Sequence, residues 1–108
     1  FPALPGSPGH TLWKRDYRGA CGLFGLVLQP APSRAVDALL DALQLFGLGF
    51  SWGGFESLAI SCDDQFRKRR LRKDYGGPVV RLHIGLEHPD DLITDLRIGL
   101  DAFSLASR

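Results

Sequence analysis

The chain has 108 residues, 44% of them hydrophobic and 23% charged, with a formal net charge of +1. That is one domain's worth of chain, enough for a single modest core and ordinary for a globular fold. No apolar run approaches the ~18 residues a membrane-spanning helix needs, and Phe1-Pro2-Ala3-Leu4-Pro5 lacks the basic start and apolar stretch of a secretory signal.

Residues 1–19 read as a loop, punctuated by Pro2, Pro5, Pro8, Gly6 and Gly9. The chain contains no methionine and opens within this loop, so it reads as a piece of a longer polypeptide. Ala20 to Leu28 is small and apolar on both faces and ends at Pro30 and Pro32, which predicts a central strand covered on both sides. Ser33 is placed to cap a helix, because its hydroxyl can accept a free backbone N–H of the first turn. Val36, Leu39, Leu40 and Leu43 follow at helical spacing, and Gly47 suits the left-handed position that stops such a helix.

Phe50-Ser51-Trp52-Gly53-Gly54 reads as a glycine-bearing loop, and Glu56 to Cys62 as a second strand. Arg67 to Lys73 holds six of the thirteen basic residues, leaving seven against twelve acidic residues elsewhere. Such a block could bind nucleic acid, but a solvated loop or subunit contact is the favoured reading, since Phe66 alone offers little stacking. Val79 to Gly85 has β-branched residues and a period of two, the clearest strand in the chain. Pro89 then suits the first position of a helix, with Asp90 and Asp91 at the positive end of its dipole. Leu92, Leu96, Gly99, Leu100 and Phe103 form its inner stripe. The order β-α-β-β-α predicts an α/β (α+β) fold, an open sheet with helices packed on one face.

The two cysteines, Cys21 and Cys62, form no C-x-x-C, and no His/Cys spacing suits zinc, so both read as buried thiols. No Ser-His-Asp or Cys-His order has supporting spacing, and no Gly-rich phosphate loop leads into a helix. The chemistry concentrates on the third strand. Side chains alternate along it, so Val80, Leu82 and Ile84 point to the helices while Val79, Arg81, His83 and Gly85 point away. A guanidinium in so apolar a strand must meet an anion. An ion pair with Glu56 or Glu87, an anion of a neighbouring domain, or a small carboxylate ligand held by its fork satisfies that demand. His83 reads as a hydrogen-bonded structural residue. Ser51-Trp52-Gly53-Gly54 could shape a pocket, or form a tight turn capped by a core tryptophan.

Three segments carry a family likeness. Leu45-Phe46-Gly47-Leu48-Gly49-Phe50-Ser51-Trp52-Gly53-Gly54-Phe55-Glu56-Ser57-Leu58, Gly77-Pro78-Val79-Val80-Arg81-Leu82-His83-Ile84-Gly85-Leu86-Glu87 and Pro89 to Leu96 resemble the C-terminal region of cystathionine β-lyases. These belong to the Cys/Met-metabolism group of fold-type-I pyridoxal-phosphate (PLP) enzymes. Pro2 to His10 and Trp13 to Asp16 match the approach to that domain. The resemblance implies residues 1–19 as a lead-in and 20–108 as a small C-terminal substrate-recognition domain, without the large PLP domain. It implies Arg81 as the partner of the substrate α-carboxylate, with Ser51 and Trp52 lining the same pocket and Ser51 near the cofactor–lysine linkage. Trp52 is the discriminating position, since γ-lyases and γ-synthases typically read Ser-Leu-Gly-Gly there.

The implied reaction is α,β-elimination of cystathionine to homocysteine, pyruvate and ammonia. PLP is its electron sink, and a lysine is Schiff-base partner and proton carrier. That lysine belongs to the large domain, and Lys14, Lys68 and Lys73 are not in its context, so no catalytic residue is assigned. The isolated chain is expected to hold no cofactor and to be inactive alone. The implied partners are the large PLP domain of the same polypeptide and, at full length, the other subunits of a cytoplasmic homotetramer. A γ-lyase, γ-synthase or cysteine desulfhydrase specificity stays open. From another class, so does a small interaction or nucleic-acid-binding module using Arg67–Lys73.

Overall fold

The computed structural model describes residues 1–71 and 73–108; Arg72, within the basic block, lies outside the described residues. Its elements are α1 (His10–Asp16), β1 (Leu23–Val27), α2 (Ser33–Ala42), β2 (Gly47–Leu48), β3 (Leu58–Ser61), α3 (Asp63–Arg67), β4 (Val79–His83) and α4 (Pro89–Ala106). The four strands form one open sheet in the order β1-β4-β3-β2. β4 lies antiparallel to both β1 and β3, and β2 runs parallel to β3.

The register places Phe24, Leu82 and Ala59 in one row and Leu26 and Val80 in the next. These side chains meet α2 and α4 through Ala35, Val36, Leu39, Leu92 and Phe103, so the helices cover one face of the sheet. α4 starts at Pro89 with Asp90 and Asp91 in its first turn, as its sequence predicts. Gly99 lets α4 approach α2 closely, because a Cβ there would stand 3.0 Å from Leu43 Cδ2 and 3.2 Å from the Leu39 carbonyl. Asp95, on the same stripe, is 3% exposed. Its carboxylate accepts the backbone N–H groups of Gln44, Leu45 and Phe46 at 2.7, 2.9 and 3.0 Å.

Several expectations are corrected. β1 is an edge strand, and Val27 is 52% exposed; its apolar composition resembles a central strand, but β4 and β3 are the strands that find partners on both sides. Ser33 is the first helical residue rather than the cap: Pro32, already extended, takes the cap position, with no side-chain hydrogen bond. Gly47 does not end α2 in a left-handed turn. The chain is turned there by the Asp95 carboxylate, and Gly47 enters β2, a strand too short to leave a periodic signature. Cys62 is buried but Cys21 is exposed, since it precedes β1 and lies outside the sheet; both are free. Leu100 is 40% exposed, at the margin of the stripe.

The approach segment is more ordered than a loop. The bonds Leu4 N–H to Phe1 O, Ser7 N–H to Leu4 O and His10 N–H to Ser7 O close three successive turns. Pro5-Gly6 and Pro8-Gly9 supply the pre-set φ and the positive φ that two of them need. They deliver the chain into α1. Among the described residues, no helix is long and apolar enough to cross a membrane.

Candidate functional site

β2 and β3 are parallel neighbours, so residues 49–57 must travel back along the sheet to connect them. Parallel pairs usually need a crossover of a dozen residues or more; a two-residue β2 shortens the return. One face is already occupied by α2 and α4, and the connection crosses the other. That second face carries Val79, Arg81 and His83 of β4, flanked by Leu58 and Ile60 of β3 and Leu23, Gly25 and Val27 of β1. The alternation read from the sequence is the alternation of the fold.

Arg81 is half-buried between Gly25, which has no side chain to lie over it, and Ile60. Its guanidinium donates to the carbonyl of Phe50. Among the described residues no carboxylate pairs with it. Glu87, an expected internal partner, is engaged elsewhere: it accepts from the Ser57 N–H at 2.9 Å and the Ser57 hydroxyl at 2.6 Å. Those bonds, the hydroxyl first, hold the Glu87 carboxyl below the usual carboxylate range. Glu56, the other expected partner, is exposed.

His83 is 7% exposed and reaches the same connection. Its Nε2 is 3.0 Å from the Gly54 carbonyl, while the Gly53 N–H lies 3.3 Å from Nδ1 and 3.2 Å from Nε2. Between Phe50 and Gly53 stand Ser51 and Trp52, both exposed, Trp52 at 63%. The tryptophan is therefore not the core cap of a tight turn. Further along, Gly85 sits under the Phe55 carbonyl, where a Cβ would collide with the Phe55–Glu56 backbone. Its N–H donates to the Ser57 hydroxyl at 2.8 Å, and Leu86 N–H donates to Phe55 O at 2.8 Å.

The structure thus brings Arg81 to the segment that holds Ser51 and Trp52, through the Phe50 carbonyl. It also assigns places that sequence reasoning missed. Asp95 was hidden within an apolar stripe, and its one signal was a charge at a position otherwise occupied by Leu and Gly. Cys62, which the sequence already marked as a buried thiol, follows β3 and is 7% exposed, and burial, the largest influence on it, pushes its thiol up. Phe66 and Tyr75 pack ring to ring at 5.3 Å, with the Arg69 guanidinium 4.9 Å from the Phe66 centroid and the Lys73 ammonium 5.4 Å from that of Tyr75. Arg67 pairs with Asp64, so part of the basic block is internally engaged.

The sequence matches the family model described as Cys/Met metabolism PLP-dependent enzyme over residues 1–101. It is 49% identical over 102 residues to cystathionine beta-lyase from Salmonella typhimurium, covering 91% of this chain and 26% of that protein. It is 41% identical over 102 residues to an L-alanine/L-glutamate racemase from Wolbachia pipientis wMel, covering 93% of this chain and 25% of that protein. Among solved structures, cystathionine gamma synthase from Xanthomonas oryzae pv. oryzae in complex with cystathionine superposes with a TM-score of 0.84 at 32% identity, over 98% of this chain and 28% of that one. The chain spans about a quarter of the length of the curated relatives it matches.

Proposed function

The chain belongs to the Cys/Met metabolism PLP-dependent enzyme family, and from that premise we propose that it supplies the substrate-carboxylate half of a carbon–sulfur lyase site of the cystathionine β-lyase type. One observation carries the reading. Arg81 stands half-buried on an interior strand with no paired carboxylate among the described residues, its one side-chain hydrogen bond there being to the Phe50 carbonyl. A guanidinium so placed retains most of its five donors in a planar fork that matches a carboxylate.

The site's work is recognition and orientation. Arg81 fixes the α-carboxylate, and Ser51 and Trp52, on the adjoining segment, line the space beside it. Trp52 in place of the leucine typical of γ-lyases and γ-synthases favours β-elimination, releasing homocysteine, pyruvate and ammonia. A carboxylate anchor serves any amino acid, so Arg81 alone does not separate a lyase from the alanine/glutamate racemase among the relatives. The rest of the pocket must.

PLP, when bound, supplies the electron sink for such an elimination. The residues here do not fit as its holder. No lysine occurs from Arg81 through the rest of the chain or anywhere between Arg15 and Arg67, and the face offers a cation, a hydroxyl and an indole rather than a phosphate cradle. In this reading the large domain of the same polypeptide covers the Arg81 face and brings lysine and cofactor. The setting is cytoplasmic, and the assembly is a homotetramer built from dimers. The chain by itself is inactive.

Product analysis tests the reaction class. The full-length protein supplied with cystathionine and PLP should release homocysteine and pyruvate, and Arg81→Ala should lower kcat/KM at least tenfold. Release of cysteine instead would replace the β assignment with a γ one, and an unchanged kcat/KM would remove Arg81 from the site.

A further inference from the structure

We propose that His83 is a positioning residue: a neutral imidazole, protonated at Nε2, that clasps Gly53 and Gly54 and so keeps Ser51 and Trp52 presented beside Arg81. The Gly54 contact points to one tautomer. A carbonyl can only accept, so the Nε2 that stands 3.0 Å from the Gly54 oxygen must carry the hydrogen. The Gly53 N–H lies 3.3 Å from Nδ1 and 3.2 Å from Nε2; with the hydrogen on Nε2, Nδ1 is the ring nitrogen left with a lone pair to receive that N–H. Both polar atoms of a side chain only 7% exposed are thereby committed to one short stretch of backbone.

That stretch needs holding. Gly53 has a φ of +82°, and neither Gly53 nor Gly54 has a Cβ that meets a neighbour, so no side-chain packing restrains them. Glycine pairs have the most backbone freedom to lose. Arg81 and His83 are two residues apart on one face of β4, about 6.6 Å along the strand. Arg81 takes the Phe50 carbonyl and His83 takes Gly53 and Gly54. The two exposed residues between these fixed points, Ser51 and Trp52, are presented in one orientation by a clasp on either side. His83 acts through the loop backbone rather than on the substrate. Its functional weight rests on the carboxylate reading of Arg81, while the clasp itself does not.

Nitrogen-15 NMR of the whole chain separates the two. In the wild type, the His83 ring should show the pattern of a neutral imidazole with hydrogen on Nε2; hydrogen on Nδ1, or on both nitrogens at neutral pH, overturns the clasp. His83→Phe keeps a flat ring without donors or acceptors, and should speed Gly53 amide exchange about tenfold or more. His83→Gln retains one donor and one acceptor and should recover much of the protection. Equal Gly53 exchange in all three proteins overturns the proposal even if their global stabilities differ. Cystathionine is then titrated into the PLP-free full-length protein, where the large domain completes the site and no turnover occurs, while the Arg81 side-chain N–H resonance is followed. A wild-type signal that ignores the ligand while the Gly53 protection pattern holds refutes the anchor, not the clasp. If the ligand moves it, His83→Phe should weaken the response severalfold and His83→Gln should restore it; an equal response in His83→Phe shows that the clasp does not position the site.

Discussion

Asp95 and Arg81 show two ways in which a single charge can be accommodated in an apolar setting. Asp95 is satisfied inside the chain: three backbone N–H groups converge on its carboxylate, and the segment that leads to β2 and the site loop is turned by them. Asp95→Ala should cost about 3 kcal/mol or more, because three donors lose a charged acceptor at once. Denaturant unfolding measures it, and a loss below about 1 kcal/mol would mean the turn holds without the carboxylate. Arg81 is not satisfied in that way, having one carbonyl for its five donors. Sequence spacing left an internal ion pair and a ligand equally open. The commitment of Glu87 to Ser57, a contact between residues 30 apart that no local pattern encodes, takes Glu87 out of the internal pair and supports the proposed ligand reading.

At the scale of elements, legibility follows length and periodicity. β4 and α4 were readable because a five-residue alternation and an eighteen-residue apolar stripe each repeat enough times to be recognised. β2, α1 and α3, at two, seven and five residues, do not. Edge and centre were not readable either, since strand order is decided by pairing across the whole chain. The site loop is likewise set by an element-level fact, the parallel pairing of β2 with β3, which forces residues 49–57 across the face opposite the helices. Gly85 permits that crossing. Gly85→Ala would drive a methyl group into the Phe55–Glu56 backbone and should destabilise by about 1–3 kcal/mol, with accelerated amide exchange concentrated at Gly53 to Ser57. A destabilisation spread evenly over the sheet would contradict this account of the crossing.

The whole molecule is a plate, 41 × 36 × 24 Å, with a radius of gyration of 14.6 Å, against about 13 Å for a compact chain of this size. One face is sealed by α2 and α4. On and around the site loop, Leu48, Phe50, Trp52 and Phe55 are each more than 60% exposed, a patch of the kind that marks a contact surface. The proposed large domain would cover it. Global stability should also respond to acid through the Glu87–Ser57 link. Glu87 has its folded-state pKa depressed, so its contribution is full above the unfolded carboxylate value, about 4.3, and is lost as pH falls through the folded value. Glu87→Gln should therefore flatten the loss of stability below about pH 5, seen as a smaller shift of the urea midpoint with pH. Identical shifts in both proteins would remove Glu87 as a contributor.

The family was legible from three ordered motifs, while the role proposed for Arg81 rests on where the fold puts it: on the open face, beside the loop that carries Ser51 and Trp52, without a paired carboxylate among the described residues. Binding of cystathionine to the PLP-free full-length protein and to its Arg81→Ala variant, neither of which turns the substrate over, measured calorimetrically, tests that role most directly. Loss of a charge-paired carboxylate contact should cost about 2–5 kcal/mol, a weakening of roughly thirtyfold or more. Equal affinity in the two proteins would contradict it.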